Sequence, residues 1–238
     1  MTRASLAAGS CLRRHGDRSC YGPDDARDRR APRGQPMMRP ALAVGEALRQ
    51  RAAVSDAELD QVFPDELRDR SHLHWTPVAV AIRAAELLAP TADTRVLDVG
   101  AGVGKLCLVG ALVTGAMWWG IEQDAVQVAA ANRAAWALDV THRTRFVHGD
   151  GSRLAWDEFD ALYFYNPFST VMLAPHASPF LRYATIRATL RRVEQHLAAA
   201  RPGTRVVTFH GFGGALPPGF TRLAREPAAD DALELWIR

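Results

Sequence analysis

Four short stretches place polar groups directly after apolar runs: Asp98-Val-Gly100-Ala-Gly102-Val-Gly104, Glu122 in WWGIEQD, Asp150 in HGDG, and Asn166-Pro167-Phe168 in ALYFYNPF. The first removes three side chains within five residues. A backbone so stripped can approach a ligand closely, and the helix that follows offers unpaired N–H groups. Glu122 lies 24 residues beyond Asp98, where a carboxylate can accept both hydroxyls of a ribose. Asp150, between Gly149 and Gly151, can accept from an adenine amino group; the plainer reading is an ordinary Gly-Asp-Gly turn. Pro167 cannot donate to a sheet ladder and ends it. That turns the Asn166 amide oxygen outward, with Phe168 as a packing face, so that an amine or amide NH2 can be held with its lone pair free. The plainer reading is a strand-terminating turn.

These residues need elements to hold them. From residue 94 the chain alternates apolar runs with helical spacing: strands are expected at Arg95–Val99, Met117–Ile121, Arg145–His148, Asp160–Tyr165 and Arg205–Phe209, and helices at Val103–Thr114, Ala125–Leu138 and Leu181–Ala200. The runs are continuous rather than alternating, as in strands covered on both faces. The order implies an α/β, doubly wound, mostly parallel sheet, and stretches near Phe220–Leu223 and Leu233–Ile237 suit a closing hairpin. In such a sheet ligands bind beyond the carboxyl ends of the strands, beside the first one. Ahead of it, residues 37–75 read as a helical extension, with an S-x-x-E capping box at Ser55 and Glu58. A helix from Thr76-Pro77 to just before Pro90 leads into the sheet.

Composition bounds the rest. Residues 1–40 hold nine Arg and four Asp, a balance of +5, whereas the remainder carries 20 basic and 22 acidic residues. The basic character belongs to the tail and gives the folded part no bias towards nucleic acid. Residues 1–36 read as a disordered Arg-rich tail, with later starts available at Met37 and Met38. Cys11, Cys20 and Cys107 are too scattered for a disulfide framework or a zinc site, and no metal is expected. No apolar run approaches the roughly 20 residues that span a bilayer, so the expectation is a cytoplasmic protein without a membrane partner. Lys105 is the only lysine.

The ligand is narrowed by spacing. A dinucleotide fingerprint is G-x-G-x-x-G, but here the third glycine comes one place early. Asp98, two residues ahead of the first glycine, would repel a pyrophosphate and suits a ligand that carries an ammonium and a sulfonium. In these features the chain resembles the class I S-adenosylmethionine-dependent methyltransferases over about residues 74 to 210. VLDVGAGVGK, GIEQD, HGDG and YNPF stand in that family's order and spacing. The resemblance implies a seven-stranded Rossmann-like methyltransferase domain over residues 76–238 that binds S-adenosyl-L-methionine. It implies that Asp98, Gly100 and Gly102 line the methionine portion, Glu122 the ribose, and Gly149 and Asp150 the adenine. YNPF is similar to the Asn/Asp-Pro-Pro-aromatic signature of amino-directed methyltransferases, without its second proline, and to the Asn-Asn-Phe segment of a group of histone lysine methyltransferases. HWTPVAVA looks like the Thr-Pro segment before strand one in the amino-directed group, which brings Thr76 to the donor.

The expected activity is transfer of a methyl group to a nitrogen, with Asn166, Pro167 and Phe168 as the catalytic segment. The acceptor is a protein, a nucleic acid or a small molecule, and the residues do not distinguish them. His176 and His210 fall near strand ends, where a lone histidine is more often structural. Two other readings stay open at this level: an NAD(P)-dependent oxidoreductase, and a non-catalytic nucleotide-binding protein of the same fold.

Overall fold

A computed structural model describes residues 38–69, 71, 75–168 and 178–238. The Arg-rich tail 1–36 with Cys11 and Cys20, His176, and residues 169–177 of the segment after Phe168 lie outside the described residues. Seven strands form one sheet: β1 (Arg95–Val99), β2 (Met117–Glu122), β3 (Thr144–His148), β4 (Ala161–Tyr165), β5 (Arg205–Phe209), β6 (Thr221–Ala228) and β7 (Asp231–Ile237), ordered β3-β2-β1-β4-β5-β7-β6. Strands β1 to β5 are mutually parallel, while β7 runs antiparallel to both β5 and β6.

The central strands β1, β4 and β5 are buried on both faces, which is why they lack alternation. Val96, Trp118, Ala161, Tyr163 and Val207 join one apolar cluster, and their neighbours Leu97, Ile121, Leu162 and Val206 join another. Helices α1 (Met38–Arg49), α4 (Val78–Leu88), α5 (Lys105–Thr114) and α6 (Ala125–Ala137) supply the first cluster, and α7 (Pro179–Ala198) gives Val193 and Leu197 to the second. Gly110 lets α5 lie directly on Trp118, because a Cβ there would stand 2.3 Å from the indole. Strand β6 extends well past the expected Phe220–Leu223, through Pro227, which is tolerated because β6 is the sheet's edge. The chain leaves β1 for β2 on one side, and β4 takes the place on the other side of β1. That reversal opens a crevice at the strands' carboxyl ends.

The short helices α2 (Asp56–Asp60) and α3 (Asp65–Arg68) precede the sheet. The capping box at the start of α2 is complete: the Ser55 side chain accepts from the Glu58 backbone, and Glu58 accepts from Ser55 N at 2.7 Å. Helix α4 starts one residue later than expected, with Pro77 as its cap residue. Its free N–H at Val78 donates instead to Asp56 Oδ1 at 2.9 Å, so α2 caps α4 across the fold.

The single lysine completes this joint. Lys105 opens α5, its side chain only 4% exposed, with Nζ 2.5 Å from Asp56 Oδ1 and 2.7 Å from Asp60 Oδ1. The contact with Asp60 is an ion pair whose alignment falls short of a hydrogen bond. The ammonium also lies 5.8 Å from the Trp75 ring centroid. Removing one partner of a buried pair leaves an uncompensated charge, at a cost of about 3 to 5 kcal/mol. Lys105→Met should therefore lower the unfolding free energy in urea by about 3 kcal/mol, and adding Asp60→Asn should recover part of it. Equal stabilities for Lys105→Met and the wild type would contradict the joint.

Candidate functional site

The crevice is a cavity of about 450 Å³, within the size of ordinary small-molecule sites. Its floor is the turn after β1. Gly100, Gly102 and Gly104 have φ of 80°, 56° and 77°, a left-handed series that side-chain-bearing residues rarely adopt. Space makes the same demand: a Cβ on Gly100 would stand 2.6 Å from Pro167 Cβ, and one on Gly104 would stand 2.3 Å from the Phe146 ring. Gly100 N and Ala101 N both donate to Ile121 O, which folds the turn onto the end of β2. Helix α5 begins only at Lys105, two residues after the expected start, because the left-handed Gly104 serves as its cap.

Glu122 closes β2 and grips this turn. One carboxylate oxygen accepts from Gly102 N at 3.0 Å and the other from Asp124 N at 2.9 Å. Asp124 in turn caps α6 by accepting from Val126 N. Glu122 thus fixes the glycine turn relative to α6 while lining the cavity.

Asp98 lies beneath the turn, 4% exposed. Among the described residues its one hydrogen-bonding side chain is the Cys107 thiol, 3.7 Å from Oδ2. Burial above all pushes its pKa up to about 8; the thiol opposes that and the Glu122 charge adds to it. A carboxyl group without a cation partner therefore faces the cavity. Thr76 is also buried, with Oγ1 3.3 Å from the Tyr163 hydroxyl, and both line the cavity. Burial holds the Tyr163 hydroxyl protonated, well above its ordinary range.

Beside this floor stands the turn after β4. Asn166, Pro167 and Phe168 all line the cavity, and Phe168 is 4% exposed. Asn166 has φ of 42°, and its N–H donates to Gly211 O at 2.8 Å. Next to it His210, which follows β5, is also left-handed at φ 55°. The His210 ring stacks on Tyr165, with centroids 5.3 Å apart and planes at 20°.

Of the ten residues expected from the sequence, nine line this one cavity; Asp150 is the exception. Gly149 and Gly151 line it on either side of Asp150, whose Oδ1 accepts from Ser152 N and Ser152 Oγ while Oδ2 pairs with Arg153. Its carboxylate caps the short 3-10 turn Gly151–Arg153. Lys105, Trp75, Tyr163 and Asp230 line the cavity without having been singled out as site residues. Asp98 and Tyr163 share an environment because they pair in register on β1 and β4, a relation that follows only from the strand order.

No protein-family model matches the chain. A release factor glutamine methyltransferase of Chlorobaculum tepidum is 32% identical over 125 residues, which are 50% of this chain and 40% of that protein. The chain thus spans less than half the length of that relative. Among solved structures, an RNA methyltransferase from Salinibacter ruber in complex with S-adenosyl-L-homocysteine matches with a TM-score of 0.50 and 22% identity, over 68% of this chain and 92% of that one. TrmN from Thermus thermophilus matches with a TM-score of 0.53 and 19% identity, over 72% and 51%. These structures share the seven-stranded fold. The chain shares the fold of these methyltransferase structures, with the glycine turn, Glu122 and Asn-Pro-Phe in order around one crevice, and half of it is similar in sequence to a methyltransferase.

Proposed function

We propose that this protein transfers a methyl group from S-adenosylmethionine to a nitrogen atom of its acceptor. The observation that carries the reading is the buried Asp98 carboxyl, which faces the cavity beneath the glycine turn with no cation partner among the described residues. An ammonium group brought there is stabilised by an ionised carboxylate in a site of low dielectric. A pyrophosphate brings no cation against which that carboxyl could ionise, and the third glycine comes one place too early for a dinucleotide turn, so the oxidoreductase reading is not favoured. Thr76, Asp98, Gly100 and Gly102 would hold the methionine portion of the donor, and Glu122 the ribose. Gly149 and Asp150, beside Gly151, would meet the adenine. When bound, the donor supplies an electrophilic methyl group on a positively charged sulfur.

The remaining work is positioning, which can supply several kcal/mol. Asn166 lines the cavity beside the glycine turn, on which Pro167 packs. Its carboxamide oxygen accepts an N–H of the acceptor, which leaves the nitrogen lone pair aimed at the donor's side. Pro167 fixes the bend by packing on Gly100, and Phe168 closes the wall. A nitrogen acceptor agrees with the name of the Chlorobaculum relative, since a glutamine side chain offers an amide nitrogen. Whether the acceptor is a protein, an RNA or a small molecule is a separate question, which tritiated donor incubated with lysate of a deletion strain answers by where the label enters.

Two outcomes test these roles. Asn166→Ala should bind S-adenosylhomocysteine nearly as the wild type does but transfer methyl groups roughly a hundredfold more slowly, about 2.7 kcal/mol of lost transition-state stabilisation. Asn166→Asp, which keeps an oxygen acceptor, should retain more activity than the alanine variant. A wild-type rate for Asn166→Ala would make the segment a structural turn.

Asp98 gives the pH prediction. Its folded-state pKa of about 8 lies above the ordinary value of 3.8, so the native state holds the proton more tightly than the unfolded chain. That stabilisation is complete below the ordinary value and is lost as pH rises through about 8. Asp98→Asn removes the dependence. Its melting temperature should gain on the wild type's steadily from pH 4 towards pH 8 while donor binding weakens at least about tenfold. Scanning calorimetry across that range checks this, and a constant gap between the two proteins would contradict it.

A further inference from the structure

Tyr163 pairs in register with Asp98 on the neighbouring strands β4 and β1, which sends both side chains to one face of the sheet. The Tyr163 hydroxyl lies 3.3 Å from Thr76 Oγ1, and both residues line the cavity. Two hydroxyls joined by one hydrogen bond hold two hydrogens and spend one. Burial decides which. Tyr163 is 1% exposed and Thr76 6%, and a buried polar hydrogen left without an acceptor is costly. Among the described residues Thr76 Oγ1 is the one side-chain acceptor that the phenol meets. Tyr163 therefore donates, and the Thr76 hydrogen is left over at the cavity wall. Burial first, with the Asp98 charge and against the Thr76 hydrogen bond, keeps the phenol protonated, so its hydrogen is always there to give.

We propose that Thr76, its hydroxyl turned by Tyr163, donates to the carboxylate at the amino-acid end of the methyl donor. The inference rests on the methyltransferase reading above and deepens it, by naming the group that Thr76 meets and adding Tyr163 as a positioning residue. The amino-acid end carries an ammonium and a carboxylate on one carbon. Asp98 matches the ammonium, and once ionised it has no hydrogen to offer the carboxylate. That group needs a donor beside Asp98.

Lys105 lines the same cavity, but its ammonium is already held by Asp56 and Asp60 at 2.5 and 2.7 Å. A third carboxylate on that ammonium would face the other two. The free Thr76 O–H carries no such conflict, and a hydrogen bond to an ionised acceptor is among the stronger kinds. The hydroxyl is also well placed by its chain. Thr76 precedes Pro77, the cap residue of α4, and a residue before proline is confined to extended backbone.

The test is calorimetric titration of the full chain with two ligands. One is S-adenosylhomocysteine, and the other is its decarboxylated analogue, which keeps the ammonium and lacks the carboxylate. Thr76→Val should bind S-adenosylhomocysteine about tenfold more weakly, whereas Thr76→Ser, which keeps the hydroxyl, should stay within about twofold of the wild type. Tyr163→Phe, which keeps the ring, should weaken it about threefold. Every variant should bind the decarboxylated analogue within about twofold of the wild type. Because Tyr163 acts through Thr76, the double variant should bind S-adenosylhomocysteine no more weakly than Thr76→Val alone. Wild-type affinity for S-adenosylhomocysteine in Thr76→Val or Tyr163→Phe overturns the inference and leaves the methyltransferase reading standing. So do equal losses with both ligands, or losses that multiply in the double variant. Should Tyr163→Phe fail to fold, the contrast between Thr76→Val and Thr76→Ser across the two ligands decides alone. A wild-type protein that does not bind S-adenosylhomocysteine overturns the methyltransferase reading and this inference with it.

Discussion

The turn from Gly100 to Gly104 is the constraint around which the rest is arranged. It carries three left-handed residues in five and lies between Pro167 on one side and Phe146 on the other. Side chains at Gly100 and Gly104 would overlap both neighbours, so the turn can close only without them. Once closed, it presents backbone to the crevice where a side chain would otherwise stand. It also hands the chain to α5 with the helix's first N–H groups unspent. The Asn-Pro-Phe bend packs on Gly100 and so depends on the same absence.

The turn does not hold its shape alone. Glu122 clamps it from β2 through Gly102 N, and Lys105, its last neighbour, is held by two carboxylates of α2. Because Asp56 also caps α4, a single carboxylate links the helices before the sheet, the Thr76-Pro77 entry and the start of α5. The helical extension is thereby part of the site's scaffold. Trp75 and Thr76 reach the cavity from the chain that enters α4, and Lys105 reaches it from α5. Rigid elements placed in this way suit a reaction in which positioning does most of the work.

Much of this was legible in the residues. Continuous apolar runs marked strands covered on both faces, and the polar group after each run marked the crevice, because in a parallel sheet all those ends point one way. Ser55 and Glu58 announced their helix by cap chemistry that is local in the chain. What escaped was non-local. The pairing of Lys105 with Asp56 and Asp60 spans more than 40 residues, and the approach of Asp230 and Asp231 to His210 requires β7 to lie beside β5. Strand order, not spacing, creates those contacts. Asp150 is local instead: its carboxylate accepts from two donors of Ser152 within its own turn.

The central claim is that the carboxyl of Asp98, buried and without a cation among the described residues, awaits the ammonium group of a methyl donor. Calorimetric titration of the wild-type protein with S-adenosylhomocysteine, in buffers of differing ionisation enthalpy at pH 7, tests it most directly. NAD and NADP titrated alongside serve as the competing ligands. The account predicts saturable one-to-one binding of S-adenosylhomocysteine with release of a proton to the buffer, since a carboxyl with a pKa of about 8 ionises when the ammonium arrives. It predicts no saturable heat with either dinucleotide. Saturable binding of NAD or NADP with none of S-adenosylhomocysteine would contradict it.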